Sequence, residues 1–179
     1  EVEILDEESI DVIIHRLCHE LIEIHNNFNN SVLIGLQPRG TFLNSRIIKK
    51  INLLFPKVNI ASGNIDISFF RDDLMTRETP IVPQVMDINF SLEGRDVILI
   101  DDVLFTGRSV RAALDALLTF GRPNQVELLV LIDRRLKRHL PIEPNYVGMT
   151  VDSIFSEDVV VKWSEDLGKN EIFLLKNKL

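Results

Sequence analysis

The sequence predicts an α/β fold, with a mostly parallel central sheet flanked by helices. Three observations carry this. Val97-Ile98-Leu99-Ile100 is an unbroken apolar run, as in a strand buried on both faces. After a short turn, Val110, Ala113, Leu114, Leu117 and Leu118 recur at helical spacing. An earlier strand–turn–helix unit has Val32, Leu33 and Ile34, then Phe42, Leu43, Ile47 and Ile48, and a further buried run covers Gln125 to Ile132. Strands that alternate with helical patterns form βαβ units, which build parallel sheets.

In chain order, Asp6 to His25 reads as a helix. Ile10, Ile13, Ile14, Leu17, Leu21 and Ile24 make one apolar stripe. Asp6 or Ser9 caps its start, and Asn26 to Asn30 ends it. His15, Arg16 and His19 lie on the flank of that stripe, as on a solvated face, and Cys18 reads as a packed small residue. Ser31 to Leu36 is a short buried strand. Ile60 to Phe70 alternates like a half-buried strand, with Ile65, Ile67 and Phe69 on one side. Arg71-Asp72-Asp73 opens a polar stretch to about Asn89, long enough to be functional or disordered. Ser91 to Arg95 is a turn, and Gly121-Arg122-Pro123 stops the helix that begins near Arg108. Arg134 to Ser156 looks irregular. Val159 to Trp163 and Ile172 to Leu175 suggest a closing hairpin, turning at Asp166 to Lys169.

Composition narrows the function. The 179 residues are 45% hydrophobic and 26% charged, which suits one domain over 1–179 with a real core. No apolar run approaches the ~20 residues needed to span a bilayer. Glu1 leads directly into an amphipathic pattern, with no signal peptide read there. Cys18 is the single cysteine, so no internal disulfide forms. These features predict a cytoplasmic protein with no membrane partner. A net charge of -7 lacks the basic footprint of a protein bound mainly to nucleic acid.

The chemistry concentrates after the central strand. Asp101-Asp102 follows the apolar run, and Thr106-Gly107-Arg108-Ser109 leads into the helix. A helix N-terminus offers unpaired N–H groups and a positive dipole end, which suits a phosphate. Gly107 lets the backbone approach closely or take a positive φ. Two carboxylates beside a phosphate would repel it unless they face sugar hydroxyls or a metal on the same ligand. The combination describes a sugar phosphate. The alternative is an ordinary βα junction with two solvated loop acids.

The stretch V-I-L-I-D-D-V-L-F-T-G-R-S resembles the motif of the type I phosphoribosyltransferases that binds phosphoribosyl pyrophosphate (PRPP). The turn Gln37-Pro38-Arg39-Gly40 resembles the family's pyrophosphate loop. F-x-R-D-D at Phe69 to Asp73, V-L-F-T-G-R-S-V-R-A-A-L and D-R-R-L-K-R-H-L-P-I-E-P-N-Y-V-G resemble the PyrR-type branch, and the likeness runs from about Leu5 to Leu175. The chain departs from that branch at Met149-Thr150 and at Val151-Asp152-Ser153.

The resemblance implies a type I phosphoribosyltransferase fold with a flexible loop at about 71–89 and a small hood at about 133–158. It implies that PRPP and uracil give UMP and pyrophosphate, with Mg²⁺ accompanying PRPP and no metal ligand assigned to a residue. Asp101 and Asp102 would accept the ribose hydroxyls. Thr106, Gly107, Arg108 and Ser109 would hold the 5′-phosphate, and Val103 and Leu104 would also line the PRPP or UMP site. Gln37, Pro38, Arg39 and Gly40, helped by Arg71, would hold pyrophosphate. Asp133, Arg134, Val147 and Val151 would meet the base. The branch also regulates pyrimidine operons through an mRNA leader, for which Arg16, His19, Arg134, Arg135, Lys137 and Arg138 are the candidates, and it tends to form homodimers or larger homo-oligomers. Two other readings stay open: a UMP-sensing RNA regulator with little or no enzyme activity, and a purine phosphoribosyltransferase.

Overall fold

The structure is a computed structural model that describes residues 1–71, 86–153 and 157–176. Its main sheet has five parallel strands: β2 (Ser31–Leu36), β3 (Ala61–Ile65), β4 (Asp96–Leu104), β5 (Gln125–Asp133) and β6 (Tyr146–Thr150). Their spatial order is β3-β2-β4-β5-β6. The predicted parallel sheet is therefore present.

Both faces of this sheet are covered, which explains its unbroken apolar runs. In β4, Ile98 and Ile100 pack in one core with α1 (Glu7–His25) and α2 (Gly40–Leu54). Val97 and Leu99 point the other way, into a core shared with α3 (Arg108–Leu117). Asp6 caps α1, its carboxylate accepting from Ser9 N at 2.9 Å. Such a cap is worth ~1 kcal/mol. Cys18 is buried, and burial pushes its thiol up to about 12.

Several expectations need correction. Ile24 is exposed at the end of the α1 stripe, and Leu114 and Leu118 also face outward. Val110, Ala113 and Leu117 are buried as expected, and Ala112 and Ala116 take the place of Leu114 and Leu118 in the α3 interface. The third strand stops at Ile65. Beyond it Asp66 accepts hydrogen bonds from Ser68 N and Ser68 Oγ, a side-chain turn that ends the ladder and leaves Phe69 exposed. The acid pair does not tip the central strand, since β4 continues through both aspartates to Leu104. The stretch 134–156, read as irregular, contains β6, which pairs with β5 along Leu129–Asp133. Its flanking prolines and short length masked it. The expected loop at about 71–89 lies for its greater part outside the described residues.

The closing hairpin forms, as β7 (Glu157–Lys162) against β8 (Glu171–Lys176), with a short α4 (Ser164–Leu167) at its turn. A strand not anticipated, β1 (Val2–Leu5), adds to β8 antiparallel. This small sheet is held to the main body by arginines. Arg46 of α2 meets both Glu165 carboxylate oxygens at 2.8 and 2.7 Å and lies 4.4 Å over the Trp163 ring. Arg134 donates to Glu157 O, and Arg39 to Val161 O. No helix among the described residues is long and apolar enough to cross a membrane.

α1 packs tightly on the β6 edge. Arg16 donates to Val147 O and Gly148 O at 3.0 and 2.6 Å. A Cβ at Gly148 would run into Leu131 O and, at 2.8 Å, into Ile13 Cγ2. Gly148→Ala is therefore expected to destabilise the fold by about 1–3 kcal/mol, the usual range for overpacking. Urea denaturation checks this; an unchanged midpoint would show that α1 is free to move away from β6.

Candidate active site

The main sheet changes direction between β2 and β4. From β2 the chain crosses to β3 on one side, while β4 is followed by β5 on the other. Ligands of open α/β sheets bind in the crevice at such a point, outside the carboxyl ends of the strands. Here the crevice is bounded by the turn after β2, Gln37-Pro38-Arg39, and by the end of β4, Asp101 to Leu104. The Gln37–Pro38 bond is cis.

A cavity of about 280 Å³ fills this crevice. Gln37, Pro38, Arg39, Arg71, Asp101, Asp102, Val103 and Ser109 line it, so the structure unites the two motifs predicted separately. An adjoining cavity of about 200 Å³ is lined by Thr106, Gly107, Arg108 and Leu104, and shares Arg71, Asp101, Val103 and Ser109 with the first. Gly40 sits just behind. Its missing side chain lets α2 begin against the β4 backbone, where a Cβ would collide with Ile100 O.

Both helices that start here lack a side-chain cap: α2, entered through Arg39, and α3, entered through Gly107 at φ 90°. Arg108 N donates to Thr106 Oγ1 at 3.3 Å and Phe42 N to Arg39 O at 3.1 Å, so neither start has the full side-chain cap that closes α1, away from the crevice. The phosphate-type turn is braced from outside, since Thr106 O accepts from His139 N at 2.9 Å and Leu140 N at 3.3 Å.

The acids sit between these two N-termini. Burial, and then the charge of Asp102, push the Asp101 carboxyl well above the usual carboxylate range. Burial raises Asp102 as well, opposed by the Arg39 guanidinium. Groups so placed are poised to accept hydrogen bonds from hydroxyls or to meet a cation. Among the described residues no cluster of three or more His, Cys, Asp or Glu could hold a metal ion by itself.

The residues suggested for the base divide. Asp133 and Val147 line a separate cavity of about 680 Å³ beyond β5 and β6. Val151 instead packs in the core beneath α1. Arg134 is buried, its Nε on Ser153 Oγ at 2.9 Å and its guanidinium 3.9 Å over Phe105. That removes Arg134 from any nucleic-acid surface, because its charge is spent inside the protein. Arg138 turns back onto Asp133 and Phe105 O. Arg16 and Arg135 stay exposed, in ion pairs with Glu20 and Asp152. His19 is exposed beside His15.

Four lining residues escaped the sequence reading: Leu36 at the end of β2, and Asp66, Ile67 and Ser68, which follow β3 into the crevice. The signal available was Asp66-x-Ser68, an Asx-turn pattern just past an apolar strand.

Comparison with known proteins agrees with this geometry. The family model described as a phosphoribosyl transferase domain matches residues 2–166. The chain is 43% identical to the bifunctional protein PyrR of Halalkalibacterium halodurans, covering 94% of each chain. It is 40% identical to that of Haemophilus ducreyi, over 96% of this chain and 95% of the relative. Among solved structures, the hypoxanthine phosphoribosyltransferase of Trypanosoma cruzi superposes with a TM-score of 0.76 over 98% of this chain and 95% of that one, at 18% identity, which speaks to fold. The chain belongs to the phosphoribosyltransferase family and, within it, to the PyrR proteins.

Proposed function

We propose that this protein transfers the phosphoribosyl group of PRPP to uracil, giving UMP and pyrophosphate, and that its UMP-bound form regulates a pyrimidine operon through an mRNA leader. The observation that carries the catalytic reading is the pair of helix N-termini without side-chain caps flanking two adjacent acids, Asp101 half-buried and Asp102 buried. PRPP has that layout, with a phosphate at one end, a pyrophosphate at the other and a diol between.

Each group then has a task. The α3 N-terminus, with Thr106 and Ser109, receives the 5′-phosphate through N–H and hydroxyl donors. Asp101 and Asp102 accept the ribose hydroxyls and fix the ring. The α2 N-terminus and Arg39 face pyrophosphate, where negative charge accumulates as the glycosidic bond breaks, and preorganised donors there lower the barrier. The anomeric carbon gains positive character in the same step, and the two acids lining the crevice stabilise it. Asp101 and Asp102 would supply hard oxygen donors to Mg²⁺ accompanying PRPP, and that ion would supply positive charge to the leaving pyrophosphate.

Pyrophosphate release from PRPP with Mg²⁺, run in parallel with uracil, hypoxanthine, guanine and no base, tests the reading. Uracil alone is expected to support turnover; turnover with a purine would overturn the base assignment. Asp101→Asn should weaken PRPP binding about tenfold to 10²-fold, the range for hydrogen bonds to charged groups. It should also stabilise the free protein. A carboxyl whose folded pKa is raised gives stability at low pH that is lost as pH rises through the folded value. The gain in Tm over wild type should therefore grow from acidic to neutral pH. A gain that is flat with pH would mean that Asp101 is not strained by burial.

For the regulatory half, Arg135 is an exposed cation on the candidate RNA face. Arg135→Gln should lower the salt slope of leader binding by about one, as for a single phosphate contact. An unchanged slope would take Arg135 off that face.

A further inference from the structure

A pair of histidines on α1 lies outside the crevice, and only His19 of the two is among the candidate RNA residues. His15 and His19 are one helical turn apart and both exposed. Their Nε2 atoms are 3.2 Å apart, and their rings lie 4.8 Å apart, tilted by 51°. The His19 ring is also fixed edge-on to Phe55 at 5.4 Å. We propose that His15 and His19 form a chelating site for a borderline divalent transition ion of the zinc and copper(II) class.

The argument is geometric and chemical. Histidines at i and i+4 present both rings on one helix face, the arrangement that binds zinc in helical metal sites. With metal–nitrogen bonds of ~2.0–2.1 Å, the 3.2 Å separation of the nitrogens gives an angle of about 100° at the ion. That lies between the square and tetrahedral values, so one ion spans both nitrogens with the helix as it stands. In the free protein the two nitrogens lie within hydrogen-bonding distance of each other. An ion between them needs only a small rotation of each ring, and the ring torsion of histidine is broad and soft.

Neighbouring charges do not occupy the site. Asp11, one turn before His15, is held by Lys50 at 2.6 Å, and Glu20 by Arg16 at 2.5 Å. No third His, Cys, Asp or Glu completes a larger cluster among the described residues. The remaining coordination positions therefore go to water or to a donor from another molecule. The ion class follows from the ligands, since imidazole suits zinc and copper whereas Mg²⁺ demands oxygen. The ion that accompanies PRPP would not compete here.

The test is a titration of the intact protein with zinc chloride by calorimetry, in saturating Mg²⁺, for wild type, His15→Gln, His19→Gln and Asp101→Asn. One zinc per chain is expected in wild type and in Asp101→Asn. Each histidine variant should bind about 10²-fold more weakly, because the second nitrogen of a chelate acts at high effective concentration. Copper(II) added to wild type should show an electron paramagnetic resonance spectrum with coupling to two nitrogens, and to fewer in either variant. Far-UV circular dichroism controls for folding. Zinc affinity unchanged in both histidine variants, or lost in Asp101→Asn instead, overturns the proposal, as does an absence of zinc binding to wild type.

Discussion

The site depends on one close contact, the start of α2 against the backbone of β4. Gly40 makes it possible, since any side chain there would meet Ile100 O. The contact brings the turn after β2 beside Asp101 and Asp102, on a strand far away in sequence. It also fixes where the uncapped N-terminus of α2 points. Without it the molecule would keep two strand–turn–helix units and lose the crevice between them. The parallel pairing of β2 with β4 sets the level of the two turns, with Gly35 opposite Ile100. Strand register and one missing methyl group thus decide the spacing between the pyrophosphate and ribose ends of the site.

The buried acids cost stability, and the fold accepts the cost where it is useful. Asp101 and Asp102 are adjacent and desolvated, which pushes both carboxyls up, and the Arg39 guanidinium opposes this at Asp102. A carboxylate in that state interacts strongly with any hydroxyl or cation that arrives, because water does not compete for its lone pairs. Each acid also steadies its own strand end: Asp101 Oδ1 accepts from Asp102 N at 2.9 Å, and Asp102 Oδ1 accepts from Val103 N at 2.7 Å. These bonds orient the carboxylates before any ligand binds.

The central sheet and the crevice were legible because their signals are local. A strand buried on both faces must be apolar throughout, and a phosphate turn needs small residues at the start of a helix. Val97 to Ser109 contains both in register. What escaped depends on partners remote in sequence. β1 is four residues that become a strand only by pairing with β8. β6 is short, follows prolines and is defined by β5 beside it. Arg134 read as one of a basic cluster, and nothing local distinguishes it from Arg135. Its burial comes from Ser153, Glu157 and Phe105, which the fold brings from three other segments. The small sheet likewise draws on both ends of the chain, β1 from one and β7 and β8 from the other.

An acidic protein that binds a polyanionic sugar poses an electrostatic question. The net charge of -7 opposes such a ligand at long range, yet screening confines that opposition to a Debye length of ~8 Å at physiological salt. Within that distance the local sources decide. Several arginines are already spent on internal carbonyls and carboxylates: Arg16 on β6, Arg46 on Glu165, Arg134 on β7 and Arg138 on Asp133. The crevice relies instead on two helix N-termini with Arg39 and Arg71 at its wall. Backbone N–H groups do not titrate, lose no side-chain entropy on binding and stay aimed by the helix that carries them. Phosphate binding of this kind needs no basic surface, so an acidic composition and a phosphoribosyl site coexist in one small domain.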